Sequence, residues 1–151
     1  FMKSEFTLKL SKKLNEQSLF PIGCSDEEIK HLENHAKLPL PETYKEFLGL
    51  MGRGIGGYFA EVNIFYQQVF DNRNAMKELL EEDKSNFNID ETDFVFSTYQ
   101  GFQFMYFNLS EGNDPPIYHY VEGAKVPTKK FDRFTEYIIK IFEEAFGQTT
   151  Y

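Results

Sequence analysis

Apolar residues recur at helical spacing in the first third of the chain and predict three short helices. Phe6, Leu10 and Leu14 lie four residues apart, which indicates a helix within residues 5–20. Two further apolar stripes follow and predict two amphipathic helices. Their residues are Ile29, Leu32 and Ala36, and then Tyr44, Phe47, Leu48 and Met51.

The boundaries of the second and third helices are marked by capping signals. Ser25 and Glu28 have the spacing of a capping box, in which each side chain bonds the backbone N–H of the other residue. Pro39 and Pro41 end the second helix, and Pro41 also starts the third, since the first turn needs no N–H there. We expect Gly52 to be a left-handed cap of the third helix.

The middle of the chain predicts a strand, a turn and a fourth helix. Residues 58–70 are rich in β-formers, so we expect a strand near Phe59–Phe65, with an uncertain end. Asp71 and Asn72 are assigned to a turn. The helix after this turn has its apolar face on Ala75, Met76, Leu79 and Leu80.

The second half predicts a β-hairpin followed by another strand. Phe94–Tyr99 and Phe102–Phe107 are the hairpin strands, and the turn between them is at residues 100–101. Apolar side chains on both faces of the hairpin place it near the sheet centre, with cover on both sides. Ile117–Val121 is the next strand, in which alternation puts His119 on one face and the two tyrosines on the other.

The last predicted element is an amphipathic helix near the end of the sequence. Residues 128–131 are expected to lead into it, and Gly147 to end it. Its apolar face is Phe131, Phe134, Ile138, Ile141, Phe142 and Ala145. The element order predicts an α+β fold, with a mainly antiparallel sheet of about four to six strands flanked by helices.

Composition indicates a single globular domain in a reducing compartment. The chain has 151 residues, 41% of them hydrophobic and 26% charged, as expected for one domain. A single cysteine, Cys24, excludes an internal disulfide and is typical of the cytoplasm. Neither a membrane-spanning run nor a signal peptide is indicated.

Charge is distributed unevenly along the chain. The net charge is −8, and residues 61–100 carry nine acidic and three basic side chains. This balance disfavours direct binding to nucleic acid, because it repels a phosphate backbone. It suits a basic protein partner, whose encounter it would accelerate. Charge alone favours the simpler interpretation, in which a negative surface keeps the protein soluble.

Candidate chemical sites in the sequence favour structural interpretations. His31 and His35 have a metal-binding spacing, but they point away from the apolar face of their helix, toward solvent. The glycines of residues 52–57 leave a helix and enter a strand, whereas a phosphate loop has the opposite order. His119 and Cys24 have no partner base or acid nearby in sequence. We therefore expect no catalytic residue, no metal site and no cofactor.

A family resemblance is carried by three segments. The sequence LPLPETYKEFLGLMG at residues 38–52 is followed by a glycine-rich exit, DPPIYHYVEG at residues 114–123 and a terminal aromatic helix after Lys129. In these segments the chain resembles the SUKH superfamily, the Smi/Knr-type domain of cell-wall regulators and bacterial immunity proteins. The resemblance spans residues 25–146. It divides the chain into residues 1–24, an N-terminal helix and loop packed on the domain, and residues 25–151, the SUKH-like domain.

The resemblance implies a non-enzymatic protein-binding domain. Many bacterial members are immunity proteins that neutralise a toxin, often a nuclease or deaminase, while eukaryotic relatives are regulators acting through protein contacts. The acidic balance suits the first role, with occlusion of a basic cleft as the mechanism. A regulatory or scaffold role without a toxin stays open, as does homo-oligomerisation. The candidate contact residues are Glu81, Glu82, Asp83, Asp90, Glu91, Asp93, Glu111 and Asp114.

Overall fold

The protein is an α+β domain, seen in a computed structural model that describes residues 4–55 and 64–146. Five helices and four strands are present in these residues, in the order ααααββββα. The elements are α1 Glu5–Glu16, α2 Asp26–Ala36, α3 Glu42–Met51, α4 Tyr66–Glu82, β1 Asp93–Tyr99, β2 Gln103–Asn108, β3 Ile117–Val121, β4 Thr128–Phe131 and α5 Phe134–Ala145. The predicted α+β class with an antiparallel sheet is confirmed.

The capping box predicted for α2 is present. The Glu28 N–H donates to Ser25 Oγ at 3.1 Å, and the Ser25 N–H donates to Glu28 Oε1 at 2.9 Å. The helix ends at Ala36, and its C-cap residue Lys37 adopts a left-handed conformation with φ 66°. Pro41 is the N-cap of α3, as the position of this proline predicts.

The prediction of a left-handed cap at Gly52 is wrong. Gly52 has φ −57° and ψ −17°, a right-handed conformation open to any residue. A Cβ at this position would lie 2.5 Å from Cys24 Sγ and 2.6 Å from the Leu48 carbonyl oxygen. Glycine is therefore required here by close packing. Of the two glycines in this region that the structure describes, Gly54 has the positive φ, at 136°.

The fourth helix begins earlier than the sequence pattern indicates. Residues 59–63 of the predicted strand lie outside the described residues, and Ile64 and Phe65 directly precede α4 without strand pairing. Asp71 and Asn72, predicted as a turn, lie within the helix. The helical spacing of the first turns appears only when Val69 and Asn72 are included in the buried face of α4. The sequence alone does not show that these two residues are buried, because burial depends on tertiary packing.

The four strands form an antiparallel sheet in the order β1-β2-β3-β4. The predicted hairpin is β1 and β2, with Phe94 opposite Phe107. Gln100 and Gly101 have φ 50° and 79°, as in the tight turns that match the twist of hairpin strands. Within the described residues β2 is an inner strand and β1 lies at the edge of the sheet, although both of its faces are covered.

The fourth strand replaces the predicted lead-in to the last helix. Residues 128–131 pair with β3, with Ile117 opposite Phe131. Phe131 consequently packs on Tyr137 from the sheet, with ring centroids 5.4 Å apart, and α5 begins only at Phe134. The segment was missed because two lysines give it little strand propensity, so that pairing with β3 decides its conformation. Gly147, the predicted helix end, lies outside the described residues.

Two apolar layers enclose the sheet. On one face, Phe94, Phe96 and Phe107 pack with residues of α1, α2, α3 and α5 in the main core. On the other face, Val95 and Phe104 pack against α4. The hairpin is therefore covered on both sides, as its sequence predicts. The cover leaves the outer side of α4 and the following loop at the surface, where most of the candidate contact residues lie.

Candidate partner-binding surface

Five of the eight candidate contact residues lie along α4 and the loop that follows it, and all of these except Asp83 are exposed. Glu81 and Glu82 are in the last turn of α4, and Asp90 and Glu91 precede β1. All four are exposed. Within residues 4–55 and 64–146, their carboxylates form no hydrogen bond or ion pair. Their negative charge is therefore open to solvent. We call these four residues the α4 acidic flank.

The two halves of the α4 acidic flank are held at a defined separation. Arg73 of α4 donates from Nη1 to the Asp93 carbonyl oxygen at 2.6 Å and from Nη2 to the Asp90 carbonyl oxygen at 2.9 Å. These bonds hold the loop against the middle of the helix. Because Arg73 and Glu82 are nine residues apart, the point on α4 that holds the loop and the acidic last turn are separated by about 13 Å along the helix axis. A protein interface of about 800 Å² per partner spans that distance.

Sequence reasoning missed two further acidic residues on the same helix. Asp71 and Glu78 are exposed, and they lie eleven and four residues before Glu82, so the three share one side of α4. The turn assigned at residues 71–72 hid this spacing. A helical period counted from Tyr66 would have revealed it.

Asp83 has a structural role in the fold. Its carboxylate accepts hydrogen bonds from the Tyr120 hydroxyl and from the Gly123 N–H, the latter at 2.9 Å. The Lys125 ammonium donates to the Asp83 carbonyl oxygen. The Tyr120 hydroxyl is the main cause that lowers the pKa of Asp83, while burial and Asp83 raise the pKa of Tyr120 to about 12. These contacts join the end of α4 to the turn after β3.

Asp93 and Asp114 also have internal partners. Asp93 accepts the Asn108 amide at 2.9 Å and the Asp90 N–H at 3.0 Å. Asp114 accepts the Thr135 N–H at 3.0 Å and the Thr135 hydroxyl at 2.7 Å, which caps the start of α5 from a distant loop. The structure therefore separates Asp83, Asp93 and Asp114 from the α4 acidic flank by their bonding.

Glu111 lies at the surface beside a pair of stacked tyrosines. The Tyr118 hydroxyl is 3.0 Å from each Glu111 carboxylate oxygen. The Tyr118 ring stacks on Tyr106 with centroids 5.3 Å apart. Burial is the main cause that raises the pKa of Tyr118, and the Glu111 hydrogen bond adds to it. Glu111 is exposed, but its charge is partly committed to this contact.

The three histidines have neighbours that explain them structurally. His31 and His35 are exposed, as predicted, but both rings contact Phe70 of α4, with centroids 5.5 and 5.0 Å away. His119 Nε2 lies 2.8 Å from Gln103 Oε1, and burial lowers the pKa of His119. In the part of the chain that the structure describes, no group of three or more histidine, cysteine, aspartate or glutamate residues could hold a metal ion.

Cys24 is buried beside α3. Burial is the largest of the causes that raise the pKa of its thiol to about 11, opposite to the lowering that a helix N-terminus can produce. A thiol with this pKa stays protonated and a weak nucleophile at neutral pH. This supports the interpretation of Cys24 as an incidental core residue.

None of the helices within the described residues is both long enough and apolar enough to cross a bilayer. The apolar sides of α4 and α5 are packed against the sheet.

Comparison with known families supports the resemblance seen in the sequence. The model of the family described as SMI1-KNR4 cell-wall, SUKH_6, matches residues 26–138. The match starts at the first residue of α2 and ends within α5, so it includes the whole sheet and leaves out α1. No curated protein sequence is similar enough to the chain to count as a match. The extent of the family match shows that the chain belongs to the SMI1-KNR4 family of the SUKH superfamily.

Proposed function

We propose that the protein is a non-enzymatic immunity protein that binds a cognate toxin through its acidic surface and blocks the toxin's basic cleft. The toxin would be a nuclease or deaminase, whose substrate-binding cleft must attract phosphate groups. The observation that carries the proposal is the α4 acidic flank, where Glu81, Glu82, Asp90 and Glu91 carry unpaired charge at the surface.

The surroundings of the α4 acidic flank support an electrostatic role. Asp71 and Glu78 extend its negative charge along α4, and Lys77 and Lys84 are the nearby exposed bases along the chain. A negative patch of this kind steers a basic partner and accelerates association, an effect that falls as salt is added. Unpaired like charges at the surface repel one another and add no stability to the fold, so stability does not explain the patch.

The other candidate residues have a different place in the proposal. Asp83, Asp93 and Asp114 hold the ends of α4, β1 and α5 in position. They would shape the surface without contacting the toxin. Glu111 lies at the margin, since its carboxylate already accepts the Tyr118 hydroxyl.

The first test is neutralisation in cells. The gene would be co-expressed with the toxin domain encoded beside it, and growth would be scored. We expect growth to be rescued by the wild-type chain. Absence of both rescue and binding would overturn the immunity role and favour a regulatory or scaffold function through other protein contacts.

The second test asks whether the α4 acidic flank is the contact surface. Glu81→Lys/Glu82→Lys and Asp90→Lys/Glu91→Lys would be compared with the control Glu16→Lys/Glu144→Lys, which changes the net charge equally at exposed positions in α1 and α5. Association with the toxin domain should slow by about tenfold or more for each flank variant at low salt. If the control slowed association equally, net charge alone would explain the effect. If the flank variants left the association rate unchanged, the α4 acidic flank would not be part of the interface.

A further inference from the structure

A groove that meets the α4 acidic flank at Glu91 lies between the end of α2, the first half of α4 and the start of β1. Its volume is about 380 Å³, within the range of small-molecule sites. Its apolar walls include Leu38, Val69, Phe70 and Leu109. Leu38 is 40% exposed at the mouth of the groove, whereas Val69 is 4% exposed. The groove therefore offers an apolar interior with one unpacked leucine at its entrance.

The Arg73 guanidinium lies in the wall of the groove. Two nitrogens of the Arg73 guanidinium donate to the carbonyl oxygens of Asp90 and Asp93, which fixes the plane of the group. A guanidinium has five N–H donors, so three remain for another acceptor. No carboxylate pairs with Arg73 in residues 4–55 and 64–146. Its positive charge is oriented but not neutralised.

The other charges of the groove divide by their bonding. Lys37 and His35 contribute an ammonium group and an imidazole ring from the end of α2. The Asp93 carboxylate is occupied by the Asn108 amide and the Asp90 N–H. Glu91 is exposed at the rim and would repel an anion. In a chain with a net charge of −8, this combination makes the groove a local site of balanced charge centred on one arginine.

We propose that this groove binds an amphipathic monocarboxylate, a small molecule with an apolar body and a single carboxylate. The apolar body lies against Leu38, Val69 and Leu109, and the carboxylate accepts hydrogen bonds from Arg73. An arginine at the edge of an apolar site is well suited to a carboxylate, because its planar donors match the two oxygens. The groove shares Glu91 with the α4 acidic flank, but the proposal does not depend on the immunity role, since it concerns a small molecule and is tested without a toxin.

The test uses decanoate and decylamine, which share an apolar chain and differ in the charge of the head group. Binding to the whole chain would be followed by amide chemical shifts of Leu38, Phe70 and Leu109 in two-dimensional NMR. We expect saturable shifts with decanoate and none with decylamine at the same concentration. Equal binding of the two compounds would overturn the proposal, as would the absence of saturable shifts up to about 1 mM decanoate.

Two variants test whether charge determines decanoate binding, and the second keeps the test valid if the first fails to fold. Arg73→Met should weaken decanoate binding by about tenfold or more, although it also removes two bonds to the loop. Glu91→Gln changes an exposed side chain and should strengthen binding about two- to fivefold, because it removes a repulsive charge. Glu16→Gln, an exposed change in α1 outside the groove, is the control and should have no effect. Unchanged affinity in Glu91→Gln, or an equal gain in Glu16→Gln, would contradict a carboxylate site beside Arg73.

Discussion

At the scale of the single residue, the hydroxyl of Tyr44 is the least satisfied group in the core. Its ring is fully buried and contacts Phe94, Phe107 and Phe134, with centroids 5.2–5.6 Å apart. Among the buried side-chain oxygen and nitrogen atoms of the described residues, only the Tyr44 hydroxyl oxygen lacks a hydrogen-bond partner. Leaving a buried polar group unpaired costs about 1–3 kcal/mol. The aromatic packing must therefore outweigh a penalty that phenylalanine would not incur.

Replacing Tyr44 by phenylalanine should stabilise the protein. We expect Tyr44→Phe to raise the free energy of unfolding by about 1 kcal/mol, because the ring contacts stay and the unpaired hydroxyl is removed. Tyr120→Phe is the matched control and should lower it, since the Tyr120 hydroxyl donates to Asp83. Urea unfolding at 25 °C measures both. A loss of stability in Tyr44→Phe would show that its hydroxyl has a partner, such as a bound water.

At the scale of the element, glycines and loop carboxylates position the helices. Gly23 lies so close to α3 that a Cβ would be 1.9 Å from the Gly49 carbonyl oxygen, whereas a Cβ on Gly49 itself meets nothing within 4 Å. Asp114 supplies α5 with a cap that its own N-cap residue, Arg133, does not provide. Both features join an element to a segment distant in sequence.

The two glycines of this contact should respond in opposite directions to alanine. Gly49→Ala should stabilise the protein by about 1 kcal/mol, since alanine favours a helix and has free space there. Gly23→Ala should destabilise it by about 1–3 kcal/mol, because its methyl group collides with the backbone of α3. Thermal or urea unfolding of the pair provides the comparison. Similar effects of both substitutions would contradict the close approach of residue 23 to α3.

Removal of the α5 cap should destabilise the protein without affecting partner binding directly. We expect Asp114→Ala to cost about 0.5–2 kcal/mol, and Asp114→Asn to cost less, because the amide oxygen can still accept the Thr135 N–H. Urea unfolding measures the cost. If Asp114→Ala left stability unchanged but slowed association with the toxin domain, Asp114 would be a contact residue instead of a cap.

At the scale of the whole molecule, the double-sided aromatic core makes stability sensitive to alkaline pH. Burial raises the pKa of Tyr44 above its usual range and that of Tyr137 to about 12. Tyr120 reaches about 12 through burial and Asp83. In the unfolded chain a tyrosine ionises near pH 10. A raised folded pKa contributes stability that is complete below pH 10 and is lost as the pH rises toward 12.

Stability should therefore fall steeply between pH 10 and pH 12. The free-energy advantage of Tyr44→Phe over the wild type should stay constant from pH 7 to 9 and widen above pH 10, because the variant lacks one of the ionising phenols. Urea midpoints at several pH values measure this difference. A difference that is the same at pH 11.5 as at pH 7 would contradict the burial of a neutral Tyr44 phenol.

On the acid side, the stability that Asp83 contributes is present above about pH 3.9, its unfolded pKa, and is lost as the pH falls through its lower folded pKa.

Local sequence patterns determined most of the elements of this protein. The capping box of α2, the hairpin turn at residues 100–101 and the apolar face of α5 each involve residues close in sequence. Such patterns can be recognised without knowing the fold, since helix and strand periods depend on neighbouring positions. The family resemblance rests on the same local segments, and the match over residues 26–138 confirms it.

Features that depend on contacts between segments distant in sequence were decided only by the tertiary structure. The strand β4 exists because residues 128–131 pair with β3, and the first turns of α4 show their period only through burial. The acidic residues illustrate the same limit. Asp83 bonds Tyr120, 37 residues away, and Asp114 bonds Thr135, 21 residues away, while Glu81 and Glu82 remain open to solvent. In sequence these carboxylates are equivalent charges, and their different roles follow from which chain segments the fold brings beside them.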